Sequence, residues 1–136
     1  MSFTEAIRAV LSKYATLSGR AARPEYWWWV LFIVLLNIVT GLLDGGVIAP
    51  ALGFERFAHE AVQPLRLIAT LALFLPGLCV SARRLHDIDR SGWWLLVAFI
   101  PLLGVLLLLY WVTRPGTSGS NRFGAPPSAA IPDARL

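Results

Sequence analysis

The uncharged stretch YWWWVLFIVLLNIVTGLL, at residues 26–43, decides the fold class of this chain. It lies between Glu25 and Asp44 and contains 18 residues without a charge. A helix of that length rises about 27 Å, close to the roughly 30 Å hydrocarbon core of a bilayer. Its few hydrogen-bonding side chains include Asn37 and Thr40. The stretch therefore predicts a transmembrane helix.

Two further apolar blocks follow. The second covers residues 67–82 and can be lengthened backwards through Val62 if Arg66 snorkels towards the headgroups. Pro76-Gly77 lies inside it and predicts a kink or a break. The third covers residues 93–112 and contains Pro101 and Gly104. Three spans, at about 26–43, 64–82 and 93–112, are the simplest count; a fourth or re-entrant segment stays open because Pro101 and Gly104 could form a turn.

Composition supports a membrane setting for the whole chain. Of its 136 residues, 57% are apolar and 15% are charged, and the mean hydropathy is +0.64. Soluble domains average about 45–50% apolar and about 25% charged residues. All six tryptophans lie at block ends, where indole rings favour the headgroup level: Trp27, Trp28, Trp29, Trp93, Trp94 and Trp111. We therefore predict an all-α polytopic membrane protein.

Basic residues near the block ends predict its orientation. The chain has 12 basic and 8 acidic residues, a net charge of +4. With three spans, seven basic residues fall on the N-terminal side and five on the other, which favours a cytoplasmic N-terminus. If the tail returned to the N-terminal side, ten basic residues would lie on that side and two on the other. Because these residues lie beside apolar blocks, we expect anionic lipid headgroups, and no nucleic acid, as partners.

The segments outside the blocks predict a short helix and a tail. Ser2 and Glu5 have the spacing of a capping box. Apolar residues then recur on one helical face: Phe3, Ile7, Val10, Leu11 and Tyr14. This face predicts an N-terminal interfacial helix that lies on the membrane surface; the alternative is a helix packed on the protein's own bundle. The predicted organisation is a helical membrane domain at 1–114 and a Pro/Gly-rich extended tail at 115–136.

Two charged motifs border the spans. In GRAARPEYW, residues 19–27, Glu25 stands at the start of a span, where a carboxylate needs a partner such as Arg20 or Arg23. In RRLHDIDRSGWW, residues 83–94, Asp87 has helical spacing to the neighbouring arginines, which predicts a salt-bridged turn. Asp89 or Ser91 would then cap the third span.

The tail contributes a third motif, Asn121-Arg122-Phe123-Gly124. An arginine fork beside an aromatic anchor is typical of a docking turn; the alternative is a tail segment that packs on its own bundle. The candidate structural or interaction residues of the three motifs are Gly19, Arg20, Arg23, Glu25, Trp27, Arg83, Arg84, His86, Asp87, Asp89, Ser91, Trp93, Trp94, Asn121, Arg122, Phe123 and Gly124.

Catalysis and metal binding are not expected. A metal site needs three or four converging ligands. The candidates here are His86, Asp87 and Asp89, and the arginines around them repel a cation. No nucleophile stands beside a base, and the single cysteine, Cys79, lies in an apolar block and is expected to pack there. We expect neither a metal nor a cofactor and no enzymatic activity.

The motifs also resemble a known family. GRxxRxEYW, RRLHDxDRSGWW, IPxxG at residues 100–104 and GxxGxNRFG at residues 116–124 occur in the same order in the small bacterial inner-membrane proteins grouped as domain of unknown function 805. The resemblance covers about residues 14–127. Two departures are Leu17 in place of Phe and Pro126-Pro127 in place of Asp-Pro, which removes a carboxylate from the tail. The resemblance implies a helical inner-membrane protein and no known activity.

Two functional classes remain. The first is a structural or accessory component whose charged cytoplasmic rim binds a protein partner or anionic lipid. The second is an oligomeric channel or transporter that uses the helix breaks for gating or for a small solute. We favour the first because the apolar blocks carry no charge that could coordinate an ion or relay a proton.

Overall fold

The computed structural model describes residues 1–127, and the predicted tail beyond them lies outside this description. Across those residues the chain is helical and forms no β-sheet, which confirms the all-α class. The α-helices are α1 (Phe3–Ser12), α2 (Arg23–Leu43), α3 (Ala49–Ala51), α4 (Pro64–Asp87) and α5 (Leu103–Thr113). A π-helical turn, Asp44–Ile48, joins α2 to α3, and a 3₁₀ helix, Gly92–Phe99, precedes α5.

The chain divides into two compact units. Within the described residues, the first combines Met1–Trp29 with residues 76–127, and the second is Val30–Leu75. The predicted division into a domain at 1–114 and a tail at 115–136 stays a prediction.

Two helical segments are long and apolar enough to cross a membrane, Arg23–Ala51 with 29 residues and Pro64–Asp87 with 24. They contain the first and second apolar blocks. Their large apolar side chains remain exposed, such as Ile38 at 53% and Leu71 at 68%, as expected for surfaces in contact with lipid. Of the kink or break predicted at Pro76-Gly77, the break is wrong, since α4 continues through Pro76; the kink stays a prediction. The three-span count is not confirmed.

The third apolar block is divided into two short helices. Ile100 precedes a proline and has extended backbone angles, and Leu102 has a φ of 62°, so neither continues the helix. Trp94 and Trp111 then meet edge to face with ring centroids 5.6 Å apart. Because one ring lies near the start of the 3₁₀ helix and the other near the end of α5, the two helices run back along each other as a hairpin.

Helix α1 packs on the protein itself. The predicted capping box is confirmed: Glu5 N donates to Ser2 Oγ at 3.2 Å, and Ser2 N donates to Glu5 Oε2 at 2.7 Å. The hydrogen bond from the Ser2 backbone N–H lowers the pKa of the Glu5 carboxyl. Val10 is fully buried, and Phe3 meets the Trp28 ring edge to face at 5.8 Å. Of the two alternatives for this helix, the packed one agrees with the structure.

Candidate functional site

Asp87, the last residue of α4, holds two arginines at once. Its Oδ1 accepts from Arg20 Nε at 2.9 Å, and its Oδ2 accepts from Arg84 Nη1 at 2.5 Å. All three side chains are at most 6% exposed. Charge-assisted bonds of this kind are strong, but they place the carboxylate and both guanidinium groups away from water. Asp87 is therefore the centre of a closed ionic cluster.

A second buried ion pair joins α2 to α4. Arg83 Nη1 donates to Glu25 Oε1 at 2.7 Å, and the two side chains are 0% and 5% exposed. The prediction that Glu25 needs a partner is confirmed, but its partner is Arg83 rather than the nearby Arg20 or Arg23. Arg20 instead pairs with Asp87.

The two arginines on Asp87 also collect backbone carbonyls. Arg84 donates to Val112 O at 3.1 Å, to Ala21 O at 3.2 Å and to Arg114 O. Arg20 donates to the carbonyls of three tail residues: Thr117 at 2.6 Å, Gly119 at 2.7 Å and Gly124 at 3.3 Å. Carbonyls at helix ends and in turns need donors, and a guanidinium group offers five. The cluster thus ties the start of α2, the end of α5 and the tail to α4.

His86 anchors the NRFG turn. Phe123 stacks on the His86 ring with centroids 3.9 Å apart and planes 1° from parallel. His86 Nδ1 donates to Gly19 O at 2.9 Å, and Asn121 Nδ2 donates to His86 O at 2.9 Å. The turn closes through two backbone hydrogen bonds between Asn121 and Gly124. The tail motif docks on its own chain, which agrees with the alternative given for it.

The remaining candidates lie at the edge of the cluster or outside it. Arg122 pairs with Asp89 at 3.2 Å, with side chains 66% and 42% exposed. Ser91 Oγ accepts from Trp93 N and caps the 3₁₀ helix, as one of the two predicted caps. Arg90, expected near Asp87, instead lies over the Trp111 ring at 4.3 Å. The other candidates belong to the exposed surface: Arg23, Trp27 and Trp93.

No part of the described chain, residues 1–127, brings three His, Cys, Asp or Glu side chains together for a metal. Cys79 is buried with a free thiol. The site's chemistry is ion pairing: its carboxylates are neutralised by arginines, and its arginines hold the chain in place.

Sequence reasoning missed the role of Gly116. A Cβ at this position would lie 2.1 Å from Asp87 Oδ2 and 2.5 Å from Asp87 Cγ. The next residue, Thr117, donates its N–H to Asp87 O at 2.7 Å. The tail backbone can therefore lie against the buried carboxylate only because residue 116 has no side chain. The first glycine of GxxGxNRFG was the available signal.

We expect Gly116→Ala to displace the tail from Asp87, because the added methyl group meets a carboxylate that two arginines hold in place. The expected loss is about 1–3 kcal/mol of the free energy of unfolding, the usual range for overpacking. Thermal unfolding in detergent measures it. The control is Gly77→Ala in α4, where a Cβ meets its nearest neighbour, Trp29 Nε1, at an ordinary 3.5 Å. Equal midpoints for the two variants would contradict this role for Gly116.

These features define a class: a small helical membrane protein whose charged motifs pair with one another. The chain belongs to the family described as "Protein of unknown function (DUF805)", which matches residues 14–125. It is 42% identical over 118 residues to inner membrane protein YhaH of Escherichia coli strain K12, covering 87% of this chain and 92% of that protein. It is 44% identical over 119 residues to inner membrane protein YhaI of the same strain, covering 88% and 92%. No solved structure matches the chain.

The family resemblance inferred from the motifs is thus confirmed. The matched region contains the buried ion pairs and the NRFG turn. Both relatives are named as inner membrane proteins, in agreement with the two apolar helical segments of this chain.

Proposed function

We propose that this protein is a non-catalytic structural or accessory component of the bacterial inner membrane, and that its cytoplasmic rim binds anionic groups on a protein partner or on lipid headgroups. We define the rim as Arg8, Lys13 and Arg23, which are exposed. The observation that carries the proposal is the burial of the cluster: Arg20 and Arg84 bind Asp87 and backbone carbonyls, and Arg83 is paired with buried Glu25. The exposed cations of the rim are therefore the groups available to bind an anionic partner or lipid headgroup.

The proposed topology is two spans and one re-entrant hairpin, with the N-terminal segment and the described part of the tail, residues 115–127, in the cytoplasm. The hairpin at 92–113 supports it, since Trp94 and Trp111 lie side by side. The contacts of Arg20 with Thr117 and Gly119 support it too, since they join the N-terminal segment to the tail. Basic residues are then divided ten to two in favour of the cytoplasm, against seven to five for three full spans.

An oligomeric channel or transporter is the second candidate. The break at Leu102 favours it, because interrupted helices line solute sites in many transporters. Flux of small solutes into liposomes tests it. The uncharged blocks at 26–43 and 67–82 weigh against it, because they provide no ion or proton relay.

The rim is tested by neutralising it. The triple variant Arg8→Gln, Lys13→Gln, Arg23→Gln is expected to lose a partner that co-purifies in stoichiometric amount after gentle extraction, or to bind phosphatidylglycerol vesicles about a hundredfold more weakly than the unchanged protein, at about 1 kcal/mol for each charge. Native mass and vesicle co-sedimentation measure the two arms. Arg56→Gln is a control because Arg56 is exposed but lies outside the rim. Unchanged binding in both arms would refute the rim.

A further inference from the structure

The unit Val30–Leu75 contains a cavity that no motif predicts. It has a volume of about 370 Å³ and lies between the C-terminal part of α2 and the connection that leads to α4. Apolar walls are supplied by Ile38, Leu42 and Phe57, and polar groups by His59, Gln63 and Arg66. A pocket with an apolar wall and a few converging polar groups is the usual form of a small-molecule site.

Asp44 lines the same cavity, but both of its carboxylate oxygens already accept backbone hydrogen bonds. Its Oδ1 accepts from Leu65 N at 3.1 Å and its Oδ2 accepts from Arg66 N at 2.9 Å. The side chain therefore caps the first turn of α4 from another element, and the residue is 1% exposed. A carboxylate in this position neutralises the positive end of the helix dipole. The side chain of Arg66, in contrast, makes no ion pair within residues 1–127.

The Arg66 guanidinium group has few partners for a cation. Its Nη2 donates to Asn37 O at 3.3 Å. Within residues 1–127, the buried Nε has no acceptor, and the side chain makes no ion pair. The group lies against α2 where Gly41 leaves room: a Cβ there would be 2.2 Å from Nη2. An arginine that lines a cavity and makes no ion pair is suited to bind an anion, since a guanidinium fork matches the oxygens of a phosphate.

We propose that this cavity binds a phosphate-class anion through Arg66, with His59 and Gln63 as further hydrogen-bonding groups. The walls contributed by Ile38 and Leu42 suit the phosphate of a lipid headgroup, because an acyl chain can continue along exposed apolar side chains at 53% and 58%. A free phosphate ester has the same recognition chemistry. The site uses none of the rim residues, so it stands independently of the proposed function.

The test compares phosphate binding by variants that change the charge or only its position. The first experiment places the purified protein in nanodiscs of phosphatidylglycerol and phosphatidylcholine and uses native mass spectrometry to detect retained phosphatidylglycerol. The second titrates the protein in detergent with inorganic phosphate. Arg66→Gln is expected to weaken binding about tenfold, the usual cost of losing a charge-assisted contact. Arg56→Gln, in the same connection but outside the cavity lining, is expected to change nothing.

Gly41→Ala keeps the result decisive if Arg66→Gln fails to fold. Alanine favours a helix over glycine, and its methyl group forces the Arg66 guanidinium to move while the charge stays. It is expected to bind phosphate about tenfold more weakly with no loss of stability to unfolding. If both Gly41→Ala and Arg66→Gln reduce the retention of phosphatidylglycerol, the site binds a lipid. If they reduce only the binding of inorganic phosphate, the site binds a free anion. Binding that is equal in Gly41→Ala, Arg56→Gln and the unchanged protein overturns the proposal.

Discussion

Replacing Asp87 by Asn is expected to remove most of the folded protein from the membrane. The substitution keeps the size of the side chain but removes the charge that two fully buried arginines share, at 2.9 Å from Arg20 and 2.5 Å from Arg84. Removing one partner of a buried pair typically costs about 3–5 kcal/mol, because the other charge stays buried and unpaired. That is a large part of the usual stability of a small protein.

The matched control for this result is Asp89→Asn. Asp89 lies two residues further on and also pairs with an arginine, Arg122, but the side chains are 42% and 66% exposed. Exposed pairs contribute about 0–1 kcal/mol, so the level of this variant is expected to remain normal. Immunoblots of membrane fractions and thermal unfolding in detergent measure both variants. A normal amount of stable Asp87→Asn protein would show that the cluster is not a structural clamp.

The two long apolar helices were predictable because a single local property, an uncharged apolar stretch, determines each of them. Residues 26–43 carry no charge over a length close to that of the bilayer core, and tertiary contacts are not needed to make that stretch a helix. The same holds for residues 67–82 and for the capping box, since Ser2 and Glu5 lie three residues apart. Local signals of this kind can be read without knowing the fold.

The partners within the cluster could not be predicted in the same way. Spacing suggested that Glu25 would pair nearby, yet it pairs with Arg83, 58 residues away. Pairing of this kind depends on which helix ends meet, and several arginines were equally suitable by charge. The role of Asp44 could not be predicted for the same reason. In the sequence it marks the end of an apolar block, but its carboxylate caps α4 through Leu65, which lies 21 residues further along the chain.

The prolines show why the third block was the hardest to predict. Pro76 and Pro101 both follow apolar residues, yet α4 continues through Pro76 and the chain turns back at Pro101. A difference lies in the following residues: Leu102 adopts a φ of 62°, and Gly104 lies so close to Val97 O that a Cβ would be 1.6 Å from it. A proline restricts the residue before it, but it is the packing of the second helix on the first that makes a hairpin.

The hairpin leads to an all-or-none prediction about the tail. In a variant with Cys79→Ala, single cysteines are introduced at three exposed positions: Lys13, Glu55 and Ser118. With two spans and a re-entrant hairpin, a membrane-impermeant maleimide added to spheroplasts is expected to label Glu55→Cys only. Lys13→Cys and Ser118→Cys are expected to react only after the membrane is opened.

Ser118→Cys is the decisive position, because the two topologies place it on opposite sides. With three full spans it would react together with Glu55→Cys, and Lys13→Cys would remain protected. That result would also conflict with the structure, since the carbonyls of the adjacent residues, Thr117 and Gly119, accept hydrogen bonds from Arg20, on the N-terminal side of α2. One guanidinium group cannot hold carbonyls across a bilayer of about 30 Å. Labelling of this single position therefore tests the hairpin and the ionic cluster together, because the contacts of Arg20 with the tail require both.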